Sequence, residues 1–362
     1  MKKIGLYLIS GLSFVFLMLG FAFGTIAFKE LDFSFVFVPG YLFSFFSIYL
    51  IFILHELGHA VCGYLTGYRL VAFGLGNFLL IKRSGKFSLS RTAVLKNVGA
   101  QYIGLKEDES DQRMTLMLAG GLIVHLSLIL LAILYGFLTK SWYFAATWIC
   151  LNVSFLLINA KPVGITDGAK IWELLHHPEN TKYAYLVLRH SAQTLLAPQE
   201  YDLKDFIMPV AEDARGSFAE SVQTLRGLVF ILDDNIELAK QQFQSLLEKT
   251  DNPMSKTISQ LYLLHIALLE GDHEKAEEYA SNRGVKSFLS LKMADMQIIQ
   301  AWYQFKARKD MAQTRKAMKI AKQKMNTSRM LRDEKRYYEN WLEELEKALG
   351  AEIGRASCRE RV

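Results

Sequence analysis

Residues 55–59 read His-Glu-Leu-Gly-His, and they sit inside an apolar run, 33–65, long enough to cross a membrane. Two imidazoles and a carboxylate at that depth are costly unless they line a site or a water-filled cavity. On a helix, positions i and i+4 share one face, so His55 and His59 present two nitrogen ligands to one metal ion. Glu56 stands beside them, placed to handle the proton of a metal-bound water. Any fold for this chain therefore has to bring this pair of imidazoles to a protected place among membrane helices.

The chain has 362 residues and is 51% hydrophobic, yet 22% of it is charged. The two properties separate along the sequence. Residues 1 to about 160 hold the long apolar runs, and residues 177–350 hold most of the charge. That pattern predicts an all-α polytopic membrane protein of about four transmembrane helices with a small β insertion, followed by a soluble α-helical repeat domain. The expected division is a membrane-embedded domain over 1–176, a linker over 177–205 and helical repeats over 206–350. The net charge of +6 is modest, and the basic residues of the first half flank the apolar runs. They orient a protein in a bilayer and do not form a nucleic-acid footprint.

Cys62 and Cys150 lie in apolar segments with no pairing pattern, which argues against a disulfide framework. Cys62, one turn beyond His59, reads as a small buried hydrophobe. Residues 352–362, EIGRASCRERV, resemble the translation of a sequencing-adapter oligonucleotide. They are set aside as a non-native tail, Cys358 with them.

The expected spans are about 4–28, 33–65, 114–138 and 142–160. Lys2-Lys3 precede the first, whose apolar core is too long for a cleaved signal. Pro39-Gly40 marks an irregular start or kink in the second. Residues 67–105 form a β-rich insertion: 71–76 and 78–81 have strand composition, 82–86 reads as a turn, and 87–95 alternates as a partner strand. The third span opens with Ala119-Gly120-Gly121, small residues that permit close helix contact, and contains His125, read as an interhelical hydrogen-bonder. The fourth span is broken by Lys161-Pro162 and Gly164; a break at that depth needs protein or a water-filled cavity to satisfy the freed backbone. Arg69, Lys82, Arg83, Lys86, Arg91 and Lys96 place the insertion, with Lys2-Lys3, on the cytoplasmic side of a cell membrane. Four spans then leave both termini cytoplasmic.

From about 205 onward the pattern is helical and polar. Asp234, Asp272 and Asp310 recur every 38 residues in turn-like stretches, the signature of stacked helical hairpins. Residues 268–277 resemble the tetratricopeptide class, though the period is longer than that family's own.

A hydrolytic zinc site takes three protein ligands and keeps a fourth position open. Asp167 is the one acidic residue close behind the fourth span. Its ordinary role would be to cap the helix that follows. The irregular backbone just before it favours the role of third ligand.

These residues resemble the site-2 proteases, zinc metalloproteases that cut within membranes. His-Glu-Leu-Gly-His-Ala at 55–60, Gly67, the strand-rich insertion and the small-residue motif of the third span are typical of them. Asn159, Pro162, Asp167 and Gly168 reproduce that family's spacing in its last core helix. The resemblance covers about 33–175. Thr166 stands where the family often has Leu, Gly121 replaces a commoner Pro, and His125 lies one place beyond the usual Asn.

The resemblance implies one catalytic Zn²⁺ held by His55, His59 and Asp167, with Glu56 as base and Asn159 hydrogen-bonding the substrate or the developing oxyanion. Asn159 has an equally good structural role at the helix break. The implied activity is hydrolysis of peptide bonds in membrane-spanning or membrane-inserted proteins, as in regulated intramembrane proteolysis or membrane-peptide maturation. Helical repeats would bind a cytoplasmic protein partner. The competing readings are a catalytically silent membrane scaffold acting through those repeats, and a metal transporter using the same ligands.

Overall fold

The computed structural model describes residues 2–29, 37–75, 78–83, 86–91, 99–103, 113–164, 166–211 and 214–359. The chain divides into two units, Met1–Leu188 and Arg189–Val362.

The first unit is built on four helices: α1 (Lys2–Lys29), α2 (Phe37–Leu65), α3 (Arg113–Thr139) and α4 (Trp142–Asn159). Each contains a stretch long and apolar enough to cross a membrane: Gly5–Lys29, Val38–Leu65, Met114–Thr139 and Trp142–Asn159. They are apolar on every side. Leu8, Phe46, Tyr64, Leu130 and Leu138 all point outward and are more than 60% exposed, an arrangement suited to lipid and not to water. The expected second span starts at 33; residues 33–36 lie outside the described residues. Pro39 produces no kink. It falls in the first turn of α2, where a missing N–H leaves no bond unmade.

With no hydrophobic drive between helices in lipid, close backbone approach and polar contacts hold such a bundle together. Both are present. Ser13 of α1 and Ser154 of α4 exchange hydrogen bonds: Ser154 Oγ donates to the Ser13 carbonyl at 2.8 Å, and Ser13 Oγ lies 3.1 Å from the Ser154 carbonyl. Gly58 of α2 faces Gly120 of α3 so closely that a Cβ on either would overlap the other's backbone. That crossing explains both the glycine within the His-Glu-Leu-Gly-His motif and the small residues opening the third span. Ile51, Leu151 and Phe155 fill the centre between α2 and α4.

Between α2 and α3 lies an antiparallel sheet of β1 (Arg69–Leu75), β2 (Phe78–Arg83), β3 (Lys86–Arg91) and β4 (Gly99–Ile103) in the order β3-β2-β1-β4. The sequence reading differs at three points. Lys86 belongs to β3, paired with Arg83, so the turn is shorter than 82–86. β3 ends at Arg91, and residues 92–95 lie outside the described ones. β4, which lacks a strong alternating pattern, was not anticipated. It completes the sheet by pairing Phe73 with Ala100 and Gly74 with Gly99.

After α4 comes the break and then α5 (Asp167–His176), which packs on α3. The expected linker over 177–205 is instead largely helical. α6 (Thr181–Leu196) occupies most of it, with 3-10 turns at Pro178–Asn180, Pro198–Glu200 and Leu203–Phe206. Its apolar residues recur at helical spacing, and Tyr183, Ala184 and Ala192 are buried.

The second unit is helical: α7 (Ser217–Leu232), α8 (Ile236–Lys249), α9 (Pro253–Glu270), α10 (His273–Ser281), α11 (Arg283–Leu289), α12 (Ala294–Tyr303), α13 (Met311–Met325) and α14 (Arg332–Arg359). Asp234, Asp272 and Asp310 all sit in turns, between α7 and α8, α9 and α10, and α12 and α13. Asp272 and Asp310 cap the following helix by accepting from the backbone N–H of Lys275 and Gln313. Asp234 instead takes a left-handed backbone, φ 60°. Trp302 and Trp341 stack at 5.5 Å in the main core, which α14 closes.

Candidate metal centre

His55 and His59 lie one turn apart in the last third of α2, buried at 6% exposure each. Asp167, 108 residues beyond His59, meets them from the first turn of α5. Three atoms converge. His55 Nε2 and His59 Nε2 are 3.2 Å apart, and each is 3.1 Å from Asp167 Oδ2. Among the described residues this is the group of histidine, cysteine and carboxylate side chains able to hold a metal ion. Cys62 is not part of it.

The donor chemistry of the triangle can be worked out from its outer bonds. His59 Nδ1 is 2.9 Å from the Met117 carbonyl, which can only accept, so Nδ1 carries a proton and in the neutral ring Nε2 is a bare lone pair. On the other ring, His55 Nδ1 is 3.0 Å from His125 Nε2. Two imidazole nitrogens and a carboxylate oxygen at 3.1–3.2 Å repel one another unless a positive charge lies between them. Ligands of a tetrahedral Zn²⁺, at about 2.0–2.1 Å from the metal, stand roughly 3.3 Å apart, so the triangle fits such an ion.

Local sequence explains how each ligand arrives. Gly121 of α3 lies against the His55 ring, and a side chain there would occupy the ring's place. The break after Asn159 brings Asp167 back. Thr166 Oγ1 donates to the Lys161 carbonyl at 2.6 Å and accepts from the Ala169 N–H at 3.2 Å, which makes Thr166 the cap of α5. Asp167 is therefore not the cap, and its carboxylate is available to the histidines. Gly168 lies flat against the Ala160 backbone, where a Cβ would overlap it. The Asp-Gly pair is thus a carboxylate that reaches the histidines followed by the one residue small enough for the return.

Glu56, partly buried, is on the same turn of α2 as the two histidines. Asn159 ends α4 and donates its amide N–H to the Phe155 carbonyl at 3.1 Å, a bond within its own helix.

Sequence reasoning did not connect His125, Asn152 or Thr166 to the site. His125 is 1% exposed and Asn152 is fully buried, and their side chains meet at 3.0 Å. The available signal was their cost: two strongly polar side chains in neighbouring apolar helices must find partners.

The first unit thus combines four helices long and apolar enough to cross a membrane with a His-His-Asp group able to hold a metal ion, the arrangement expected of a multi-pass membrane metalloprotein. Residues 43–140 match the model of peptidase family M50, so this stretch of the chain is similar to that family. The match spans α2, the sheet and α3, and it ends before Asp167. No curated protein and no solved structure matches the chain.

Proposed function

We propose that this protein is a zinc-dependent intramembrane endopeptidase. The observation that carries the proposal is the convergence of His55 Nε2, His59 Nε2 and Asp167 Oδ2 among apolar helices, with the His59 lone pair fixed by the Met117 carbonyl. His55, His59 and Asp167 hold the ion. Zn²⁺ there supplies a Lewis acid that acidifies water and polarises a carbonyl.

The chain's own groups do the rest. Glu56 takes a proton as the water oxygen bonds to the scissile carbonyl carbon. It passes that proton to the amide nitrogen as the C–N bond breaks. Asn159 is the hydrogen-bond donor to the carbonyl oxygen, as the family resemblance implies, and engages it by leaving Phe155. Buried walls around the histidines limit the water that reaches the site.

The substrate is a membrane-spanning or membrane-inserted polypeptide. Its helix must unwind before a peptide bond is accessible. The unwound stretch pairs with an edge of the sheet, and β3 and β4 are the two edges. The site faces the cytoplasmic half of the membrane, with both termini in the cytoplasm, because basic residues follow α2 directly. The second unit is a tetratricopeptide-like array that binds a cytoplasmic protein partner.

The test compares membrane peptides from cells carrying the wild type and Glu56→Gln. A full-length species that accumulates only with Glu56→Gln identifies the substrate. If no peptide differs and the cellular phenotype is unchanged, the protein is a scaffold. Metal flux into proteoliposomes without cleavage would make it a transporter.

A further inference from the structure

The polar side chains behind His55 form a directed chain. Asn152 Nδ2 lies 2.9 Å from the Trp148 carbonyl. A carbonyl only accepts, so the amide nitrogen faces Trp148 and Oδ1 faces the other way. Asn152 Oδ1 is 3.0 Å from His125 Nδ1, which must therefore carry the proton. A neutral imidazole protonated at Nδ1 has a bare Nε2. That Nε2 is 3.0 Å from His55 Nδ1, which must donate to it. His55 is then left with its Nε2 lone pair pointing at Asp167 and His59. Each link is forced by the one before it, starting from a backbone carbonyl of α4.

We infer that His125 and Asn152 are positioning residues that hold His55 in the tautomer and orientation needed to bind metal. The inference rests on the metal-site reading of His55, His59 and Asp167. Burial supports it: His125 is 1% exposed and Asn152 0%, so water cannot substitute for either partner. The chain also ties three helices to one ligand, since His55 is on α2, His125 on α3 and Asn152 on α4. The two ligating histidines are thus oriented differently. A fixed main-chain carbonyl on Met117 orients His59, while a replaceable pair of side chains orients His55. Outer partners of this kind are worth about 10–100-fold in metal affinity.

The experiment uses the full chain in detergent and measures Zn²⁺ affinity by competition with a chelator, with the Co²⁺ absorption spectrum as a second readout. Wild type, His125→Leu, His125→Gln and Asn152→Leu are compared, with His59→Ala as the control for the site itself. Thermal unfolding of the metal-free proteins shows which are folded. His125→Leu is expected to lose about 10–100-fold in Zn²⁺ affinity and to shift the Co²⁺ bands. Glutamine places an acceptor oxygen near the position of the imidazole Nε2, so His125→Gln should recover most of the loss. Asn152→Leu frees the His125 tautomer and should fall between.

A His125→Leu protein with wild-type affinity and spectrum would overturn the inference and leave the metal site standing. A wild type that takes up no metal, or a His59→Ala protein that binds as well as wild type, would overturn the metal site and the inference together. One further measurement needs no variant. Nitrogen-15 spectra of histidine-labelled wild type should show His125 protonated at Nδ1, and protonation at Nε2 would refute the directed chain.

Discussion

Gly121 of α3 lies against the imidazole of His55, and no larger residue fits between them. The contact sets the position of one imidazole of the His55-His59-Asp167 group from a helix that contributes no residue to that group. Gly121→Ala tests it. Alanine is the better helix former by about 1 kcal/mol, so α3 itself is not weakened. The added methyl group instead displaces the His55 ring, and a shift of about 1 Å at a reacting group costs about 100-fold in rate. The expected result is a protein that folds in detergent but retains little zinc after gel filtration and has about 100-fold lower activity. Full zinc retention with wild-type turnover would mean the ring tolerates displacement.

Thr166 makes the return of the chain possible by bonding both sides of the break. Thr166→Val keeps the shape and removes both hydrogen bonds; Thr166→Ser keeps both. Loss of a helix cap costs about 1 kcal/mol. Because Asp167 is the next residue, the valine protein should show weaker zinc binding, and the serine protein should match wild type. Titration with a zinc-buffered indicator distinguishes them, and equal affinities for Val and Thr would rule out a role for the cap.

Metal removal should destabilise the first unit selectively. An ion bound only by the folded state stabilises by RT ln(1 + [L]/Kd), about 2.7 kcal/mol at a hundredfold excess over Kd. Chelation should therefore lower the unfolding temperature of wild type and leave that of His59→Ala unchanged. A shift of the same size in both proteins would assign the effect to a different site.

The second unit carries its own pH dependence. Burial raises the Glu334 carboxyl to about 7 and the Asp295 carboxyl to about 6, and it lowers the His265 imidazole to about 3. Asp295 Oδ1 is buried with no hydrogen-bond partner among the described residues, which fits a carboxyl kept neutral. The raised carboxyls stabilise the fold fully below their unfolded-state values, and that contribution is lost as pH rises toward 6 and 7. The lowered histidine acts in the opposite sense: its contribution is complete above about 6.5 and is lost as pH falls toward 3. Amide protection in α12 and α14 should thus be greatest in acid solution, near pH 4, where the loss from the two carboxyls and the gain from the histidine balance. Glu334→Gln keeps an oxygen for the Leu331 N–H and removes the ionisation. It should slow exchange at pH 8 and change little at pH 4; no difference at pH 8 would show that Glu334 ionises freely in the fold.

Much of the membrane unit follows from sequence because each constraint there is local. Apolar runs of 18 residues or more must be helices in lipid, since only a helix satisfies its own backbone. The i, i+4 spacing of His55 and His59 puts them on one face of α2 with no tertiary information. The nearness of Asp167 to the end of a broken span was likewise readable, and its carboxylate lies with the two imidazoles in a group able to hold a metal ion.

Other features depended on three-dimensional proximity. That Thr166 and not Asp167 caps α5 follows from which side chain reaches Lys161 across the break. The strand β4 is defined by its pairing with β1, not by its own residues. The helix α6 in the presumed linker declares itself by the burial of Tyr183 and Ala184. Most of all, the chain from Asn152 through His125 to His55 joins residues 27 and 70 positions apart. Sequence determined that two histidines share one face of an apolar helix, because helical periodicity is a property of the chain. Only the packing of α2, α3 and α4 decided which nitrogen of His55 is free to bind, because a tautomer is set by the partner across the helix contact.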